Sequence, residues 1–268
     1  MPMIHIVKTG GKVLSNTDAI ALFLQAFKQL AGPKILVHGG GNRATQIAKQ
    51  LGIETKMVEG RRITTTEMIE VVSMVYSGIN KKLVASMQHL EIDAIGLTGA
   101  DLNLIEAIKR PVKEIDYGWA GDIVKVNSKR LQGLLAQAMV PVLAPLTHDK
   151  LGHLLNTNAD TIASSVASAL AQADESVSLA LCFEKIGVML DPDDDSSLIP
   201  ELDELDFDAY RAEGIIADGM IPKLHNAFAA LRAGVSKVFI CNPQNLAFLG
   251  TSQFEGTEVV LSSTKSIA

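Results

Sequence analysis

Two short strand-like runs near the start of the chain, residues 3–8 and 34–38, each lead into consecutive glycines: Gly10-Gly11 after the first, Gly39-Gly40-Gly41 after the second. A strand that ends in glycine and gives way to helical periodicity is the repeating unit of a parallel sheet, whose ligands bind at the carboxyl ends of the strands. Between the two runs, Ile20, Phe23, Phe27 and Leu30 recur at helical spacing behind capping candidates from Ser15 to Asp18, until Gly32-Pro33 stops them. Only a residue without Cβ lets several main-chain donors close on phosphate oxygens, so two such turns, with Lys8 at the mouth of the first, predict an anion site. Ordinary tight turns are the plainer alternative.

The alternation continues. Residues 53–62 are expected to form a hairpin, and Thr64 and Glu67 have capping-box spacing for a long helix with Ile69, Val72 and Val75 on one face. Strands are predicted at 93–97, 105–109, 122–126, 140–146, 176–183 and 237–241, with a closing strand near Val259. Helices are expected from Ser128, from Asn158 to Gln172 and after Gly219, and a solvated acidic turn at Asp191 to Asp195. Hydrophobic residues make up 47% of the chain but aromatics only 4%, so the core is built from small and branched aliphatics, as suits helices laid on buried parallel strands. The fold class is therefore α/β. If it divides into lobes, the break falls near residues 174–185, giving 1–173 and 174–268 within one continuous fold.

A formal charge of −6 provides no basic field for nucleic acid or an anionic membrane, so the expected partners are small molecules held by a few placed cations and backbone donors. Cys182 and Cys241 both sit in apolar strand-like runs and read as buried free thiols. No segment approaches the roughly 18 apolar residues of a membrane span, and no leader pattern precedes the first strand, so the expected location is cytoplasmic.

Gly39, Gly41 and Ala44 also satisfy the GxGxxA form of a dinucleotide fingerprint, with Glu59 near the distance of a ribose-binding acid. A nicotinamide dehydrogenase ranks second, because the match lies on the second strand and leaves the lysine-bearing first turn without a purpose. The GxxxxGK[ST] loop is absent, as are the HRD and DFG signatures of protein kinases. Phosphoryl transfer would need another scaffold.

The segments VKTGGKVL, LVHGGGN, GRRIT, LNTNAD and DGMIPK, spread over nearly the whole chain, resemble in order and spacing those of the amino-acid kinase family, most closely its members that act on N-acylated glutamate. The resemblance implies a three-layer α/β/α sandwich on a mainly parallel sheet, with the acyl-amino acid bound by the N-terminal lobe and ATP with Mg²⁺ by the C-terminal lobe. It implies a homodimer as well. Because the first strand begins within a few residues of Met1, the expectation is a dimer insensitive to arginine.

By position, the resemblance makes Lys8 and Lys223 the cations flanking the phosphates, and Asp160 the carboxylate that holds them. Gly10, Gly11, Gly40 and Gly41 supply N–H groups to the travelling phosphoryl, and Arg62 with Asn156 binds the α-carboxylate of the glutamate. Read from the residues alone, Lys223 could be a solvated helix-face residue, and Asn156 and Asp160 could be polar groups at a helix N-terminus. Which of Arg61 and Arg62 points inward is open, and His5 and His38 read as satisfied sheet-end residues. Where relatives carry a Ser-Asp pair beside the nucleotide, this chain has Phe183-Glu184-Lys185, with Glu184 as the replacement acid. Trp119 either shapes the acyl pocket or fills core.

Overall fold

The computed structural model describes residues 2–58, 60–217 and 219–262; Glu59 of the dinucleotide reading and Asp218 of the DGMIPK segment lie outside the described residues. The chain opens with β1 (Ile4–Thr9), α1 (Thr17–Gln29), β2 (Lys34–His38) and α2 (Gly41–Gln50). A hairpin of β3 (Met57–Val58) and β4 (Arg61–Arg62) leads into the long α3 (Thr66–His89). Next come β5 (Ala94–Leu97), β6 (Ile105–Lys109), β7 (Gly121–Val126), α4 (Ser128–Ala136), β8 (Val140–Leu143), β9 (Leu146–His148), β10 (Leu154–Asn156) and α5 (Ala159–Ala171). The last third adds β11 (Val177–Cys182), β12 (Glu201–Leu202), α6 (Glu204–Ala212), α7 (Met220–Arg232), β13 (Lys237–Cys241) and β14 (Thr257–Val259).

Eight strands form the main sheet in the order β12-β14-β13-β11-β1-β2-β8-β5. Every pair is parallel except β13 with β14. Side chains alternate across it with the period of two that strands impose. Ile6 of β1, Val37 of β2 and Leu179 of β11 share one buried cluster with Leu131 of α4, Val166 of α5 and Phe228 of α7. Val7, Leu36 and Ala180, their neighbours in sequence, share another with Phe23 and Phe27 of α1 and Leu83 and Met87 of α3. Helices on both faces make the sheet the middle of three layers, as expected. Each fully buried Phe or Leu contributes about 1.5–3 kcal/mol, so these two faces dominate the stability.

The run 140–146 does not continue as one strand. It leaves the main sheet after Leu143, and at Leu146 the chain enters a second sheet of order β10-β9-β6-β7. Pro145 supplies the reason, since it has no N–H for a ladder. The long helix α3 is capped by Thr65, whose hydroxyl accepts from the Met68 N–H, one residue later than the capping-box spacing indicates. Its buried stripe is Met68, Val72 and Tyr76, with Ile69 and Val75 half-buried beside it. Helix α6, capped by Asp203, was not expected, because its short acidic sequence has little apolar periodicity.

Cys182 and Cys241 are paired in register on β11 and β13 as buried free thiols, sulfurs 4.0 Å apart. Among the described residues no helix is long and apolar enough to cross a membrane.

Candidate active site

Parallel pairing of β1 with β2 sets Thr9 opposite His38, so the two glycine turns leave the sheet at the same level. They touch through backbone. The Gly39 N–H donates to the Thr9 carbonyl at 2.7 Å, and a Cβ on Gly39 would lie 3.3 Å from the Gly10 Cα. Gly40 admits no side chain, because its Cβ would sit 2.7 Å from the Tyr76 ring. Gly41 begins α2, so the unpaired N–H groups and positive dipole end of that helix face the same place.

Across from the turns stands the start of α5. Asn158 caps it by accepting from the Thr161 N–H at 3.0 Å, and this places Asp160 in the first turn. The Asp160 carboxylate is buried and bridges two ammoniums: Lys8 Nζ at 2.9 Å from Oδ1 and Lys223 Nζ at 3.4 Å from Oδ2. Burial pushes its carboxyl up, but the charges of Lys8 and Lys223 overcome that and hold it below the ordinary carboxylate value. Lys223 is therefore no solvated face residue. Packing of α7 on α5 carries it to a carboxylate 63 positions away in sequence.

Arg62 points inward from β4 and is 7% exposed. Its Nη2 donates to the Gly41 carbonyl and to Thr45 Oγ1, each at 2.9 Å, while the buried Nη1 has no protein acceptor. A buried guanidinium nitrogen without an acceptor costs free energy unless a ligand supplies one. Asn156, at the end of β10, donates from Nδ2 to Thr64 Oγ1 at 2.9 Å, and Thr64 in turn donates to the Arg62 carbonyl at 3.2 Å. Asn156 is thus a strand residue tied to the Arg62 segment; Asn158 is the helix cap. Gly118, at φ +63°, lets the chain come so close to Thr64 that a Cβ would overlap the Thr64 carbonyl.

Lys8, the two glycine turns, Arg62, Asn156 and Asp160 line one cleft of about 570 Å³, and Lys223 reaches Asp160 without lining it. Its walls carry the cations Lys8, Arg43, Arg61, Arg62 and Lys82, and Asp160 is the sole acid among the described residues lining it. A chain of net charge −6 thus turns a positive cleft to its ligands. Glu184 is exposed at the end of β11, its carboxylate oxygen 3.7 Å from where a Cβ on Gly11 would be. Trp119 does not line the cleft; it lies between Lys109, 4.6 Å from its ring, and His153, with ring centres 5.0 Å apart.

Two residues of the site were not read from the sequence. Tyr76 backs Gly40 from α3 and stands beside Arg62; burial pushes its phenol above the ordinary value, and the guanidinium opposes that. Thr64 links Arg62 to Asn156. Neither carries a local signal for a place in the site, since one falls on a helix stripe and the other reads only as a helix-cap candidate.

Comparison with known proteins gives the family. The model of the amino acid kinase family matches residues 3–242. A protein of Parabacteroides distasonis named acetylglutamate kinase is 52% identical over 97% of this chain and 100% of its own length. An acetylglutamate kinase of Cytophaga hutchinsonii is 48% identical over 97% of this chain and 99% of its own. Among solved structures, smu.665 of Streptococcus mutans superposes with a TM-score of 0.77 at 26% identity, over 96% of this chain and 98% of that one. With its parallel sheet, paired glycine turns and lysine-bridging aspartate, this chain belongs to the amino acid kinase family.

Proposed function

We propose that the chain transfers the γ-phosphoryl group of ATP to the side-chain carboxylate of N-acetylglutamate, forming the acyl phosphate used in arginine biosynthesis. The observation that carries this reading is the buried, unpartnered Arg62 Nη1 in the same cleft as Lys8 and Asp160, the carboxylate that also holds Lys223. One end of the cleft suits a non-reacting carboxylate; the other suits transferring phosphate. The near full-length likeness to proteins named acetylglutamate kinase supports the same substrate.

The acceptor carboxylate is ionised at neutral pH and needs no general base. It attacks the γ-phosphorus in line, the bond to the bridging oxygen breaks, and ADP leaves with the electron pair. Negative charge meets negative charge, so catalysis rests on cations and preorganised donors. Lys8 and Lys223 flank the phosphates, Asp160 holds both ammoniums, and Gly10, Gly11, Gly40 and Gly41 offer N–H groups to the equatorial oxygens. Arg62 and Asn156 hold the α-carboxylate, and Glu184 lies on the nucleotide side. Both oxygens of Asp160 are already held by lysines, so Mg²⁺ would ride on the nucleotide phosphates, where it spreads their charge. The acyl-amino acid belongs to the lobe of residues 1–173 and the nucleotide to that of 174–268. The enzyme acts as a cytoplasmic homodimer, which sedimentation velocity checks.

A coupled ADP-release assay with hydroxylamine trapping, run on N-acetylglutamate, N-succinylglutamate, glutamate and aspartate, tests the reading. Turnover is expected with N-acetylglutamate and not with the free amino acids. A trapped hydroxamate from glutamate or aspartate alone would sink it, and preference for N-succinylglutamate would change the acyl group. Arg62→Ala should raise KM for the acylglutamate about 10- to 100-fold, the worth of a charge-assisted hydrogen bond, with KM for ATP nearly unchanged. Equal losses for both substrates would remove Arg62 from the acceptor site.

A further inference from the structure

His38 is fully buried behind the second glycine turn, and the mechanism above gives it no task. Its Nδ1 lies 2.7 Å from the Gly39 carbonyl, which can only accept, so Nδ1 carries the proton. The bare Nε2 accepts from Asn80 Nδ2 at 3.2 Å, and that amide gives its second hydrogen to the Val142 carbonyl of β8 at 2.9 Å. Turning the Asn80 amide over would set oxygen against both acceptors, so its orientation is determined. The place a Cβ on Gly96 would need is occupied by the Asn80 amide oxygen. Burial lowers the imidazole to about 4, against the opposing bond to Gly39, so His38 is neutral at physiological pH.

The consequence follows from peptide geometry. In a planar trans peptide the Gly39 C=O and the Gly40 N–H point in opposite directions. With the carbonyl held inward by His38, the Gly40 N–H faces outward, into the cleft that Gly40 lines. Glycines tolerate either orientation of such a peptide, so something outside the turn has to select one. The preceding peptide is held as well, through the Gly39 N–H on Thr9.

We propose that His38 and Asn80 are positioning residues for phosphoryl transfer, a relay from α3 through the imidazole that aims the Gly40 N–H at the travelling phosphoryl. The proposal rests on the kinase reading above, and its test separates the two. Nitrogen-15 NMR of histidine-labelled protein at pH 7 should show His38 as the Nδ1–H tautomer; the Nε2–H tautomer overturns the relay whatever any variant does. Asn80→Leu removes the donor, and Asn80→Asp keeps the volume but cannot donate to Nε2 or Val142. In whichever folds by circular dichroism, kcat should fall about 10- to 100-fold, less than the loss of an oxyanion donor outright, with both KM values within about threefold. Normal kcat, or a rise in KM without loss of kcat, overturns the proposal. No turnover of any acyl-amino acid by the unaltered protein would refute the kinase reading instead, leaving the tautomer result standing.

Discussion

Lys8→Ala and Lys223→Ala should each lower kcat by about 10²- to 10³-fold, the loss typical of removing one preorganised electrostatic group, with smaller changes in either KM. A phosphoryl group passing between two negative oxygens needs positive charge that is already in place, because side chains recruited during the step would have to reorganise first. Both ammoniums are anchored on a single buried carboxylate, so neither has to search for its position. The two variants should look alike although one lysine ends a strand and the other lies on a helix. Single-turnover and steady-state rates on folded variants decide this. Near-normal turnover in either would make that lysine an onlooker and the mechanism wrong.

Asp160→Ala should show two effects at once. Its kcat should fall as in the lysine variants, since the ammoniums keep their charge but lose their geometry. Combining it with Lys8→Ala should lose less than the product of the single effects, because the carboxylate acts partly through that lysine. Stability should fall too. Breaking a buried ion pair from one side costs about 3–5 kcal/mol, and the lower end is expected here because the Lys223 side chain is 22% exposed. A loss of about 3 kcal/mol corresponds to a Tm about 6–12 °C lower. The Asp160 carboxyl is held below its ordinary value in the fold, so its contribution is complete above the unfolded-state pKa and fades as pH falls through the depressed one. The Tm difference between parent and Asp160→Ala should therefore shrink on acidification. A difference independent of pH would mean that Asp160 stabilises by packing and not by charge.

What could be read beforehand was whatever has a local period or a local necessity. The strands at Ile4–Thr9 and Lys34–His38, the hairpin that ends at Arg62 and the Ala-rich α5 all declare themselves within a window of about ten residues. So do the two glycine turns, by their place after the strands, although what forbids a Cβ at Gly40 is Tyr76, far off in sequence. Tyr76, Thr64 and Asn80 were hidden, because their roles come from partners as far off as Gly40, Asn156 and His38. The bridge between Lys8, Asp160 and Lys223 was placed by resemblance; spacing alone left Lys223 as an exposed helix residue. Only the packing of α7 on α5 makes it otherwise. The split at Pro145 was missed because a continuous apolar run looks the same whether it stays in one sheet or passes into the next.

The position of β1 also has a consequence for how the protein is made. Of the eight strands of the main sheet it leaves the ribosome first, yet it lies in the interior, between β2 and β11. One flank can be covered once β2 emerges, but the other waits for residues 177–182. At about 5–20 residues per second, that flank stays open for roughly 9–35 s, an apolar edge able to pair with any passing strand. The nascent chain is therefore most exposed to misassembly in mid-synthesis. A message that stalled before β11 would release a product whose central strand had become an edge, and whose Asp160 had lost one of the two cations it was built to hold.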